Sequence, residues 1–276
     1  MAIWDMCFGV YGTDSTRLPD MARLLKRAIK SLAAKAGLML FKRSTGIYID
    51  EAETPGLVVR LCGKTAPVVV DGGAHEGAFV DAVRAHAPEA CFVCFEPDPQ
   101  LSQALVTRFA ADSKVQVMPM ALGANAGTAR LNINASRSCN SLVEASSANA
   151  GTLGGLMATT AQVDVRVATL DEALVEAGHA TVDIVKLDLQ GFDLQALRGA
   201  PQVLQSAQVV VVEVWYAPVY AGTVNYLDIF SFMRENGFAL YTLVGVHYST
   251  SDRLLWSDAV FVRADAAVLT QALAIG

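Results

Sequence analysis

Between positions 21 and 36 the apolar residues Leu24, Leu25, Ala28, Ile29, Leu32 and Ala36 recur three to four apart, which predicts a helix with one apolar face. Asp20, after Leu18-Pro19, reads as its N-cap and Gly37 as its C-terminal stop. Arg23, Lys26, Arg27 and Lys30 fall off the stripe, so the helix is cationic. Such a face suits peripheral contact with a membrane surface or an acidic partner, and equally a packed helix with a solvated basic side.

The pattern changes at Pro67. Val68-Val69-Val70 is a β-branched run fit for a strand buried on both faces. The periodicity then predicts a helix over 77–87, a strand over 91–95, a helix over 99–111 and a strand over 115–118. Strand, helix, strand at this spacing implies right-handed βαβ units in a parallel sheet. The rhythm breaks over 128–160, where Arg130-Leu131-Asn132-Ile133 reads as part of a short hairpin and the small residues of 145–155 as a mobile loop bordering the site. It resumes with a strand over 183–187, a helix over 194–205, a strand over 209–214 and a helix over 226–236. Two last strands, 238–244 and 259–262, are expected to pair antiparallel. The domain plan is an accessory segment over 1–66, an α/β domain over 67–265 and a tail over 266–276.

Composition narrows the class. With 53% hydrophobic and 17% charged residues in 276, the chain reads as a well-buried globular enzyme. A net charge of -6 offers no footprint for a nucleic-acid backbone. No signal peptide opens the sequence and no apolar run is long enough to span a bilayer, so a cytoplasmic protein is expected. Five cysteines form no disulfide ladder, and Cys91 and Cys94 sit in an apolar strand with no second ligand pair at zinc spacing.

The strongest chemical signal is Asp71-Gly72-Gly73-Ala74-His75-Glu76-Gly77, between a strand and a helix. Glycines there allow a sharp turn and let a ligand approach the main chain. Glu96, in Phe95-Glu96-Pro97 at the end of the next strand, can accept both ribose hydroxyls of a nucleoside. A dinucleotide-dependent oxidoreductase is the competing reading, but Ala74 replaces the glycine that touches the pyrophosphate and Asp71 sits badly beside a diphosphate. S-adenosylmethionine has no phosphate, and its ammonium group suits Asp71.

These two motifs resemble the FkbM family of class I methyltransferases. So do Met120-Ala121-Leu122-Gly123 with Gly127, Asn140-Ser141-Leu142, and Lys186-Leu187-Asp188-Leu189-Gln190-Gly191-Phe192-Asp193 followed by Ala196-Leu197-Arg198-Gly199-Ala200. Glu213, Gly237-Phe238 and Asp258-Ala259-Val260-Phe261 complete a series that runs from about Pro67 to Arg263. The resemblance implies a Rossmann-like, doubly wound seven-stranded sheet of order 3-2-1-4-5-7-6, its last strand antiparallel. It implies methyl transfer from S-adenosylmethionine to oxygen of a small molecule, sugar or glycan. It places Asp71, Gly73, Ala74 and Gly77 at the methionine end of the cofactor, Glu96 at the ribose, and Met120 and Ala121 at the adenine, and His75 and Pro97 within the same two motifs are expected to contact the cofactor. Asp193 departs from the family's usual Glu and shortens that carboxylate's reach by one methylene.

If the acceptor is an alcohol, a base must take its proton. Asp188 and Glu213 follow strands at the edge where α/β sheets bind ligands, and His247 follows a later strand. Asp188 is the first candidate, with a role in holding the cofactor or capping a helix as its alternative. Lys186, two residues earlier on the same strand face, is placed to pair with a carboxylate. Asp188, Asp193 and Glu213 could donate oxygens to a divalent metal, but no compact acidic motif marks a site and none is assigned. A member of the family that binds the cofactor without turnover is the third reading.

Overall fold

The computed structural model describes residues 51–146, 154–222, 225–249 and 251–271. The chain divides into two units, Met1–Tyr48 and Ile49–Gly276, and every described residue belongs to the second. The cationic helix expected over 21–36 lies outside the described residues.

Ten strands are described: β1 (Val68–Gly72), β2 (Cys91–Phe95), β3 (Val115–Met118), β4 (Ala121–Leu122), β5 (Gly127–Asn134), β6 (Thr159–Ala168), β7 (Ile184–Leu187), β8 (Val209–Trp215), β9 (Phe238–Tyr248) and β10 (Leu254–Arg263). Seven form one sheet in the order β3-β2-β1-β7-β8-β10-β9, and three form a small second sheet, β4-β6-β5. The pairs from β3 across to β8 are parallel, whereas β10 runs antiparallel to both β8 and β9. Setting the small sheet aside, the order is 3-2-1-4-5-7-6, as the resemblance implies.

Alternation along the strands loads both faces of the main sheet. Val70, Val93, Leu187, Val210 and Val212 enter one apolar cluster, while Val69, Phe92, Ile184, Val209 and Val211 enter the other. Each fully buried side chain of this kind contributes about 1.5–3 kcal/mol. All seven residues of β8 are buried, as befits a central strand covered on both sides.

The departures from the expected elements have physical causes. The helix Thr54–Cys62 buries Val58 in the second cluster and brings Gly56 against the His86 ring. It belongs with the sheet, so the boundary expected at Pro67 falls before it. The single helix expected over 194–205 is two, Asp193–Arg198 and Pro201–Ser206, because Pro201 has no N–H to continue the ladder. Beyond the hairpin expected over 128–160, β6 extends to Ala168 and pairs with β5 over most of its length. Val163, Val165 and Val167 point into its core with polar residues between them, a period-two signal present in the sequence. The helix Leu170–Glu176 then opens with a capping box between Thr169 and Glu172. Of the small-residue stretch 145–155, residues 147–153 lie outside the described ones. In the expected tail, Ala266, Val268 and Leu269 pack on the second cluster.

Candidate active site

The main chain turns sharply after β1. Gly73, His75 and Gly77 take left-handed φ angles of 76°, 48° and 80°, and the N–H groups of Gly73 and Ala74 both donate to the Phe95 carbonyl, at 2.9 and 3.0 Å. A Cβ on Gly73 would lie far inside contact distance of the Asp188 carbonyl oxygen. Glycine is therefore required there on two counts, conformation and space. Gly77 serves differently: a Cβ there would strike Phe109 and Leu105. Its role is to seat the helix Ala78–Arg84 on its neighbour, and it does not line the cavity described below, contrary to its expected cofactor contact.

Glu96 follows β2 and is buried. Its Oε2 accepts the His75 N–H at 2.8 Å and its Oε1 the Asp98 N–H at 2.9 Å. One lone pair of each oxygen thus braces the main chain, and the others remain for a ligand. Burial pushes this carboxyl up to about 7 despite the two N–H donors, which pull it down. Asp98 caps the helix Pro99–Phe109 through Gln100 N–H at 2.8 Å. Its other oxygen receives Arg137 and Asn140 from the segment after β5. That segment straps across the site: Ser141 Oγ donates to the Gln190 carbonyl at 2.7 Å.

The third component lies between β1 and β8. Asp71 is fully buried, and neither of its carboxylate oxygens accepts a hydrogen bond from the protein. Lys186 Nζ stands 3.3 Å from Asp71 Oδ1 and 3.6 Å from Asp188 Oδ2. Burial raises the Asp71 carboxyl and Lys186 opposes it. Burial alone would lower the Lys186 ammonium, but Asp71, Asp188 and Asp258 outweigh it, so the charge is held. Gln190, itself left-handed at φ 52°, donates from Nε2 to Asp188 Oδ1 at 2.8 Å and to Glu213 Oε2 at 3.1 Å. Its Oε1 accepts from the Tyr220 hydroxyl, and Trp215 Nε1 donates to Glu213 Oε2 at 2.8 Å. Burial raises the Glu213 carboxyl well above its ordinary range, with Asp188, Asp193 and Asp258 adding to it. Asp193 is also buried, accepts the Leu189 N–H at 3.0 Å and is raised by burial to about 7.

These parts enclose a cavity of about 730 Å³, within the range of small-molecule sites. Of the residues expected at the cofactor, Asp71, Gly73, Ala74, His75, Glu96, Pro97, Met120, Ala121 and Asp188 all line it. Of the expected catalytic residues only Asp188 does. Glu213 is shut behind Gln190, and His247, expected in a loop, lies on β9 with its ring stacked on Trp256 at 4.3 Å and 11°. Sequence reading missed Gln190 as a ligand of Asp188, along with Tyr220 and Arg137. Gln190 and Tyr220 are 30 positions apart, and no local pattern signals their meeting. Thr54 and Pro55 also line the wall, from the segment assigned to an accessory role. Among the described residues no group of three or more His, Cys, Asp and Glu is arranged to hold a metal ion.

A buried carboxylate whose Oδ2 has no hydrogen-bond partner in the protein suits a ligand that donates, and an ammonium does so where a phosphate cannot. Glu96 offers acceptors to ribose hydroxyls, and Met120, Ala121 and Leu122 give an apolar surface for a base. The residues present fit S-adenosylmethionine. The strand order and this glycine-loop site together define a class I methyltransferase. The chain belongs to the FkbM methyltransferase family, whose methyltransferase FkbM domain matches residues 71–240. Family members use S-adenosylmethionine. Among curated proteins none matches this chain in sequence.

Among solved structures, the chain is similar to methyltransferase FkbM from Methylobacillus flagellatus KT, at 15% identity and a TM-score of 0.45. That likeness covers 72% of this chain and 44% of the other, so this chain spans less than half of that protein's length. It is also similar to the N-terminal domain of EvdMO1, solved in the presence of SAH and D-fucose, at 12% identity, TM-score 0.44 and coverage of 86% and 97%. A third likeness is precorrin-6y C5,15-methyltransferase from Geobacter metallireducens GS-15, at 13%, TM-score 0.42 and coverage of 79% and 92%. No helix among the described residues is long and apolar enough to cross a membrane.

Proposed function

We propose that the protein methylates a hydroxyl group of a small molecule or glycan, with Asp188 taking the hydroxyl proton. The observation that carries this reading is the state of Asp188. It is the one expected base on the cavity wall, its side chain is 38% exposed, and it is held from two sides by Lys186 and Gln190. S-adenosylmethionine supplies a methyl group already activated by a sulfonium sulfur. The protein's task is then to hold the acceptor in line, exclude water and receive one proton. Glu213 and His247 take no direct part in this scheme: Glu213 steadies Gln190, and His247 packs on Trp256.

A neutral acceptor suits the charge of the site. Lys186 already answers Asp71 and Asp188, and the cofactor, with a sulfonium, an ammonium and a carboxylate, adds a net positive charge, so a cationic acceptor has little to gain.

The test is a methyl-transfer screen over sugars and hydroxylated metabolites, with wild type and Asp188→Asn compared on any acceptor found. Removal of a general base lowers turnover by about 10²–10⁴-fold, and S-adenosylhomocysteine affinity should stay near that of wild type. Loss of cofactor affinity in Asp188→Asn assigns the residue to the cofactor instead. Unchanged turnover leaves alignment alone as the source of rate. His247→Ala should transfer methyl groups normally.

A further inference from the structure

Thr54 opens the helix Thr54–Cys62, upstream of the residues matched by the family domain. It is only 5% exposed, its Oγ1 has no hydrogen-bond partner in the protein, and it lines the cavity. A buried hydroxyl left unpaired is costly and rare in native proteins. No side chain caps this nine-residue helix, which continues the 3-10 turn Glu51–Glu53. On the same cavity wall Asp71 is a fully buried carboxylate with Lys186 Nζ 3.3 Å from Oδ1 and no hydrogen-bond partner in the protein at Oδ2.

The two groups differ in what they require. Asp71 when ionised can only accept, so its partner must donate. Thr54 can donate one hydrogen bond, and a carboxylate is the stronger kind of acceptor for it. A ligand that carries an ammonium and a carboxylate on one carbon supplies both partners at once. Two cations also stand on this wall, and both are engaged: Lys186 by Asp71 and Asp188, and Arg137 by Asp98 and Gln100.

We propose that Thr54 is a ligand-binding residue whose hydroxyl donates to the carboxylate of an α-amino acid head group, here that of S-adenosylmethionine, opposite the ammonium held by Asp71. This rests on the cofactor reading above. It makes the segment before the family domain part of the cofactor site.

The experiment uses the full chain and two probes, S-adenosylhomocysteine and its decarboxylated analogue, titrated by calorimetry into wild type, Thr54→Val and Thr54→Ser. Thr54→Val keeps the shape and removes the hydroxyl, and it should fold with a melting temperature no lower than wild type because an unpaired buried group is gone. It should bind S-adenosylhomocysteine roughly ten- to a hundredfold more weakly, the scale of one hydrogen bond to a charged group, and bind the decarboxylated analogue as wild type does. Thr54→Ser should recover most of the loss. Equal affinity of wild type and Thr54→Val for S-adenosylhomocysteine overturns the proposal, including the case in which Thr54 instead meets an acidic group on the acceptor. An equal loss for both probes also overturns it, since the effect is then one of packing. Failure of wild type to bind either probe refutes the cofactor reading itself and is thereby distinguishable.

Discussion

Replacing Glu96 tests the cofactor site and the fold in one experiment. In Glu96→Ala two buried main-chain donors, the N–H groups of His75 and Asp98, lose their acceptors. Each unsatisfied group costs about 1–3 kcal/mol, and water from the adjoining cavity moves the cost to the low end. The variant should therefore lose about 2 kcal/mol of stability. For a unit of this size that is a fall in Tm of about 4–8 °C. The ribose hydroxyls lose a charged acceptor as well, which weakens S-adenosylhomocysteine binding by about 1.5–3 kcal/mol, roughly ten- to a hundredfold. Glu96→Gln separates the two effects. It keeps one acceptor and turns an NH2 group on the other donor, so its stability loss is about half and its binding loss similar. The carboxyl titrates near 7 in the free protein, and only the ionised form accepts strongly from hydroxyls. Wild-type affinity should therefore decline as pH falls from 8 towards 6 (measured by calorimetry across that range), and Glu96→Gln should show no such decline. A folded Glu96→Ala with wild-type affinity refutes the assignment of Glu96 to the ribose.

Three further outcomes are expected. Gly73→Ala forces a Cβ into the Asp188 carbonyl at a left-handed φ, so it should lose several kcal/mol of stability by chemical denaturation; a wild-type unfolding midpoint refutes that geometry. A chain beginning at Pro67 lacks Val58 and the rest of the helix Thr54–Cys62, which packs on the second cluster. It should be poorly folded by circular dichroism and bind no S-adenosylhomocysteine, and native-like melting with cofactor binding refutes the placement of that helix in the core. Glu96 and Asp193 both have folded-state values near 7, against 4.5 and 3.8 unperturbed. Both are raised, so the folded state holds more protons, and their stabilisation, complete below about 4, is lost as pH rises through 7. The free protein should accordingly be more stable to denaturant at pH 5.5 than at pH 8, by at most about 2 kcal/mol per group. Asp193→Asn should flatten part of that slope.

The sequence by itself determined the sheet and its ligand loop, because both depend on near neighbours. Runs such as Val209-Val210-Val211-Val212 can only be central strands, and the glycines after β1 can only mark a left-handed turn beside a ligand. Alternation also encoded β6, though flanking polar residues such as Asp164 and Arg166 hid it behind a loop-like composition. Tertiary structure alone decided which carboxylate faces the cavity. Asp188, Glu213 and His247 all sit near one edge of the sheet, yet the cavity wall includes only Asp188. Glu213 is instead bonded to the Gln190 amide, and His247 stacks on its cross-strand neighbour Trp256. It also decided that Thr54 belongs to the site, since a residue 17 positions before Asp71 reaches that wall only through the packing of its helix on the sheet. Contacts of this kind are set by how elements stack and leave no periodicity in the chain.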